Sequence, residues 1–161
     1  LEWDVIKGPA AGVTIAGDSI TMRHSDEITI RSRQRVGPDF FFEVTLPPDF
    51  GATQGVPYIG LDVYPVQPTG TTLWGINSLQ DQIRVDSQGT YYAANPGDRI
   101  AMEAKAGVVR YYKNYSGPGS TILYTSRLPI MQPGASFPIT MVKPIAGPES
   151  NIKIKLLTAA P

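Results

Sequence analysis

A chain of 161 residues has the length of one domain and can bury a full core without staples; 42% of it is hydrophobic and 17% charged, with 14 basic residues against 14 acidic ones and no Cys. The balanced charge excludes a global field that would draw the chain to nucleic acid or anionic lipid, and the lack of Cys excludes a disulfide scaffold and a thiolate zinc site. No stretch approaches the roughly 18 consecutive apolar residues of a membrane span, and the first residue, Leu1 and not Met, leads us to expect a processed chain or a piece of a longer protein.

No dozen-residue window free of Gly and Pro carries the i, i+3, i+4, i+7 apolar spacing of a helix, and period-two runs take its place. Segments 13–15 and 19–22 flank Ala16-Gly17-Asp18, where Gly17 can supply the positive φ of a tight hairpin. Segment 27–32 alternates cleanly. Phe40, Phe42, Val44 and Leu46 alternate with Phe41, Glu43 and Thr45 until Pro47-Pro48, which cannot donate to a ladder, ends the strand. Further runs cover 58–63, 71–77, 82–86 and 90–93, and Asn95-Pro96-Gly97-Asp98 is a strong turn signal. Ile100, Met102 and Ala104 alternate with Ala101, Glu103 and Lys105. A turn at Ala106-Gly107 leads into 108–113, and 122–125, 137–142 and 152–157 follow. About eleven strands at this spacing predict a sandwich or barrel. We expect one domain, residues 1–161, with the N- and C-terminal strands paired in one sheet.

The stretch from Gly97 to Asn114, GDRIAMEAKAGVVRYYKN, followed by ILYTS at 122–126, resembles the strand–hairpin–strand segment of concanavalin A-like lectin/glucanase domains of bacterial and viral surface proteins. Its order is also that of the late strands of the distantly related SPRY domains. Trp3, Gly12-Val13-Thr14-Ile15, Phe42-Glu43-Val44 and Ile59-Gly60-Leu61 extend the likeness. The resemblance implies an all-β, two-sheet antiparallel jelly-roll sandwich, concanavalin A-like. It departs at one place: after Asn114 the family has a Gly for a tight turn, whereas this chain has Tyr115-Ser116-Gly117-Pro118-Gly119-Ser120, a longer loop expected to expose its aromatic ring.

Such a fold hosts lectins, hydrolases and structural modules, so function must come from the site. Retaining glucanases of this kind use Glu-x-Asp-x-x-Glu on one strand, which puts carboxylates on one face of the cleft. This chain has no such string, and in its nearest acidic pair, Asp26-Glu27, adjacent residues face opposite ways; we expect no enzyme and no catalytic residue. His24, the only histidine, is read as a polar loop residue and not as the partner of Ser19 or Ser25 with Asp18 or Asp26. No cofactor is called for. The likeness to legume-type lectins leaves calcium open, but Asp49, Asp81, Asp86 and Asp98 are scattered near turns and define no ligand set.

Sugars present an apolar C–H face and a rim of hydroxyls, and are met by aromatic rings beside amides, carboxylates or Arg. The middle of the chain offers Asp62, Tyr64, Trp74, Asn77, Arg84 and Tyr92, on strands that in a jelly roll often form the concave sheet. Tyr111-Tyr112 is read as a fold marker with one ring inward and one outward. Arg31, Arg33 and Arg35 would share a face on one extended strand, either as a stripe for an acidic partner or, the favoured reading, as a solvated edge protected by charge. Asn114-Tyr115-Ser116 is a glycosylation sequon, relevant only for a eukaryotic or viral secretory source.

The expected function is a non-catalytic carbohydrate-binding or adhesion module of a larger extracellular, cell-surface or virion-associated protein. A structural assembly module of a virion, fibre or capsid, and a SPRY-like peptide reader, stand as alternatives. The expected partners are a glycan or a protein surface, with no nucleic acid and no membrane span; a homo-oligomer is compatible with the sequence.

Overall fold

The computed structural model describes residues 1–23, 26–61, 74–86, 90–127, 136–145 and 147–161. These residues form β1 (Trp3–Lys7), β2 (Val13–Ala16), β3 (Ser19–Met22), β4 (Ile28–Val36), β5 (Phe40–Thr45), β6 (Tyr58–Leu61), β7 (Gly75–Leu79), β8 (Gln82–Val85), β9 (Tyr92–Ala93), β10 (Arg99–Lys105), β11 (Val108–Lys113), β12 (Ile122–Thr125), β13 (Phe137–Lys143) and β14 (Ser150–Leu157). They make two antiparallel sheets of seven strands. The first runs β1-β4-β13-β6-β7-β8-β9 and the second β12-β11-β10-β5-β14-β3-β2. The chain is an all-β jelly-roll sandwich, as its alternation predicts. Among the described residues no helix is long and apolar enough to cross a membrane.

Local chemistry sets the hairpins. Lys105 pairs with Val108, and the two residues between them, Ala106 and Gly107, have φ of 52° and 80°. Both signs are positive, as a type I′ turn demands for its twist to match the strands. An alanine there is strained, and the Asp39 carboxylate offsets this by accepting the Ala106 N–H at 3.0 Å. At the other end of β10, Asp98 accepts the Asn95 N–H at 2.9 Å and the Asn114 Nδ2–H at 3.0 Å. Desolvation pushes the Asp98 carboxyl up, but these bonds and the Lys113 charge outweigh it and hold the group below the usual carboxylate range. Asn114 itself has φ of 55° and accepts the Arg99 N–H at 2.9 Å. The sequon residue is thus a turn cap whose amide is bonded on both sides.

The core is the inner face of each sheet. Phe40, Phe42 and Val44 of β5, Ile100 and Met102 of β10 and Tyr111 of β11 meet Ile28 and Ile30 of β4, Ile59 of β6, Ile76 of β7, Ile83 of β8 and Met141 of β13. Each such side chain contributes about 1.5–3 kcal/mol by leaving water. Leu46, Phe50 and Val56, in the long connection between β5 and β6, belong to the same core. The Tyr111-Tyr112 doublet divides as expected: Tyr111 lies in this core, and Tyr112 lies outside it in a second cluster with Phe41, Ala101 and Tyr115.

Three expectations are corrected. The N-terminal strand β1 sits in the first sheet and the C-terminal strand β14 in the second; the strand that pairs with β14 from the N-terminal part is β3. The arginine stripe does not line an edge, since β4 is flanked by β1 and β13. Opposite Pro138 and Thr140 the partner in β4 jumps from Arg35 to Arg31, a bulge of two extra residues that leaves Arg33, Gln34 and Arg35 all exposed while Arg31 and Arg35 keep one phase. Ser32 Oγ holds the bulge, accepting the Ile139 N–H at 2.9 Å and donating to the Gln34 carbonyl at 2.7 Å. Arg33 there pairs with Asp4 at 2.7 Å and Glu2 at 3.5 Å, while Arg35 donates to Ser136 Oγ at 3.0 Å. Lastly, Tyr115 is not exposed at a loop tip. It is 6% exposed and folds back on the second sheet, its ring centroid 5.1 Å from Phe41 and 5.0 Å from Tyr112.

Candidate functional site

The outer face of the first sheet gathers the polar set that the sequence suggests, and the register says how. Ile59 pairs with Ile76, so one step along the ladder Tyr58 of β6 lies beside Asn77 of β7. Asn77 pairs with Arg84 of β8, and because Ile83 pairs with Tyr92, Tyr91 stands next to Arg84. On the other side Tyr58 pairs with Val142 of β13. Val142, Tyr58, Asn77, Arg84 and Tyr91 therefore make one row across the sheet. Two residues along each strand, about 7 Å away, lies a second row: Arg31 and Gly60 both pair with Thr140, and Gly60 pairs with Gly75.

The first row is fixed in place. Arg84 Nε donates to Asn77 Oδ1 at 3.1 Å, and the guanidinium sits 5.7 Å from the centroid of the Tyr91 ring, a cation–π distance. A guanidinium held by an amide on one side and a ring on the other keeps donors in a set plane, which suits hydroxyl or carboxylate oxygens. The second row has a backbone floor where Gly60 and Gly75 adjoin, the use of glycine that marks close approach of another group to a sheet. Beside it Thr140 is 2% exposed and its hydroxyl has no hydrogen-bond partner. Asn77, Gly60 and Gly75 are buried, while Arg31, Tyr58, Arg84 and Tyr91 are half-buried.

Of the residues proposed from sequence, Asn77 and Arg84 come together here. Trp74 does not join them: it is 3% exposed and packs in the core with its ring centroid 6.3 Å from Phe137. Tyr92 likewise turns toward the core, against which it is partly buried. Asp62 and Tyr64, like His24, lie outside the described residues. Sequence reading missed Tyr58, Tyr91, Thr140 and the membership of Arg31. The doublet Tyr91-Tyr92 held the signal for one of these, because only one ring of a strand doublet can face outward.

A different polar cluster ties the sheets at one end. Asp86, just past β8, accepts the Tyr111 hydroxyl at 2.9 Å and the Ser126 hydroxyl at 2.7 Å. Burial pushes the Asp86 carboxyl above its ordinary value, against the opposing effect of those two bonds, and burial together with the Asp86 charge raises the Tyr111 hydroxyl well above its own. All three groups satisfy one another, so the cluster is a clamp between β8 and β11. Among the described residues no group of three or more His, Asp or Glu could hold a metal ion.

No protein-family model and no curated protein matches the sequence. Solved structures do match in shape. The exoplasmic/lumenal domain of VIP36, solved with Ca2+ and Man3GlcNAc, is 12% identical with a TM-score of 0.60, covering 99% of this chain and 84% of that one. The SPRY domain of human HERC1 is 9% identical with a TM-score of 0.54, covering 91% and 92%. The β-glucanase of Bacillus licheniformis is 12% identical with a TM-score of 0.55, covering 96% and 89%. The architecture is the concanavalin A-like jelly roll. A glycan-bound domain, a SPRY domain and a hydrolase share it, so the likeness defines the fold and leaves the activity to the site.

Proposed function

We propose that this chain is a non-catalytic carbohydrate-binding or adhesion module that receives a glycan on the outer face of its first sheet. The observation that carries the reading is the fixed trio Arg84, Asn77 and Tyr91, with Tyr58 in the same row. It offers planar donors, an amide and aromatic edges, the parts that a sugar's hydroxyls and C–H face require. A hydrolytic role is disfavoured because the sequence has no Glu-x-Asp-x-x-Glu string, which in retaining glucanases of this fold puts paired carboxylates on one face of the cleft. An extracellular, cell-surface or virion-associated location goes with this reading.

Affinity electrophoresis and calorimetry against a glycan panel test it. At least one glycan should bind, with affinity unchanged by EDTA, and Arg84→Ala should weaken it about tenfold, or about 1.4 kcal/mol, with an unaltered melting curve. If no glycan is retained, or Arg84→Ala and Tyr58→Ala leave affinity untouched, the assignment is wrong. Release of reducing ends from a bound polysaccharide would convert the module into an enzyme.

A further inference from the structure

We infer that the second sheet carries an independent site on its outer face, a cleft for an acidic sugar of the uronate class. The cleft has a volume of about 500 Å³, within the range of about 300–1,000 Å³ typical of small-ligand sites. Its floor is the outer face of β10 and β11, where Glu103 pairs with Arg110 and Lys105 ends the strand. One wall is the 115–120 loop and the other is the tail at 158–160, with Asp39 at the foot and Ile122 at the rim.

The cleft is preformed, because its loop is tied down from several directions. The Tyr115 carbonyl accepts Arg99 Nη2 at 3.1 Å, and its hydroxyl donates to the Pro161 carbonyl at 3.4 Å. Ser120 Oγ accepts the Ser116 N–H at 2.9 Å and donates to the Gly117 carbonyl at 2.7 Å. With Tyr115 seated on Phe41 and Tyr112, no ordering cost falls on the ligand.

The charges inside point to the ligand's chemistry. Glu103 Oε1 is engaged by the Tyr112 hydroxyl at 3.2 Å, and Asp39 Oδ1 by the Ala106 N–H at 3.0 Å. Each carboxylate is thus held by one oxygen and keeps the other for a ligand hydroxyl. Lys105 and Arg110 form no ion pair among the described residues. They stand on adjacent strands one diagonal apart, about 7–8 Å between backbones, and can grip one carboxylate between them. Ile122, which is 46% exposed, and Pro118 offer an apolar wall. One anionic group, several hydroxyls and one C–H face describe a hexuronate. A neutral sugar would leave both cations unused, and a phosphate-rich polyanion would meet Asp39 and Glu103.

Titration calorimetry with digalacturonate and with neutral cellobiose, at low and at high salt, tests the site. Digalacturonate should bind, cellobiose should not compete for this cleft, and Lys105→Ala/Arg110→Ala should weaken the uronate about tenfold or more. Arg84→Ala on the first sheet should leave uronate affinity unchanged, which separates this site from the glycan face proposed above. Both cations are solvent-facing, and a matching melting curve for the double variant confirms that it folds. No uronate binding at about 1 mM, equal affinity of both sugars, an unaffected double variant, loss through Arg84→Ala, or preference for a Glu-rich hexapeptide would each overturn the inference.

Discussion

The outer faces of the two sheets are each partly closed to water, and they are closed by opposite means. On the first sheet the hidden groups are mostly small or polar, Gly60, Gly75, Asn77 and Thr140, with Val142 the apolar member. On the second they are Phe41, Ala101 and Tyr112, covered by Tyr115 and packed against Leu157 and Ala160. The second face is a small extra core and contributes stability. The first has an unsatisfied hydroxyl at Thr140 and strand glycines, both of which cost stability. A fold keeps such features where something other than packing is served, so the contrast separates a face that holds the molecule together from a face available for recognition.

Substitutions can break or sharpen that contrast, and the largest effect is expected at Phe41. Truncation to Ala should lower unfolding free energy by about 3–5 kcal/mol, the cost of a buried aromatic cavity. A urea titration giving less than about 1 kcal/mol would reduce the second cluster to surface decoration. Asp86→Ala comes next. It strands the buried Tyr111 hydroxyl and should cost about 1–3 kcal/mol. Asp86→Asn keeps an acceptor and should instead change the pH profile. The folded chain holds the Asp86 proton more tightly than the unfolded one, so this group alone makes stability fall as pH rises from the usual carboxylate value through the raised one. Asp98, lowered in the fold, works the other way: its contribution is present above the usual carboxylate value and is lost on acidification through the lowered one. With Asn at 86, melts across the acid range should show only the rise with pH.

Asn114→Ala should cost about 1–2 kcal/mol, because Ala is strained at a positive φ and gives the Arg99 N–H no partner; Asn114→Gly should recover part of that loss. Thr140→Val is the smallest and has the reverse sign, since removing a buried hydroxyl with no partner should leave stability equal or raise it by about 1 kcal/mol. A clear loss of stability there would mean the hydroxyl is satisfied and the two faces are less different than drawn.

How much of this was legible in the chain differs between inside and outside. Alternation at 40–46 and 100–105 places Phe40, Phe42, Ile100 and Met102 inward, because period two has only two phases. The turn at Ala106-Gly107 and the likeness over 97–114 held for the same reason, as local rules decided by local residues. Alternation is interrupted at β4, where a two-residue bulge held by Ser32 exposes Gln34 beside Arg33 and Arg35, although Arg31 and Arg35 keep one phase. It is also silent about what covers an outward residue. Tyr115 looked like a solvent-facing tip because its partners, Phe41 and Pro161, are remote in sequence. Residue type alone puts Trp74 and Tyr92 on the glycan face, whereas register brings Asn77 and Arg84 there. Asp62 and Tyr64 remain part of the proposal from sequence alone.

The outermost strands have a bearing on how copies of this molecule can meet. β9 spans two residues, β2 and β12 four each and β1 five, while β4, in the interior, spans nine. A row of two to five open peptide groups is a poor template for another chain, so stacking side by side into fibrils is discouraged at these margins. Any higher-order array built from this unit would have to be joined through its broad surfaces, where side-chain identity and not the bare backbone chooses the neighbour.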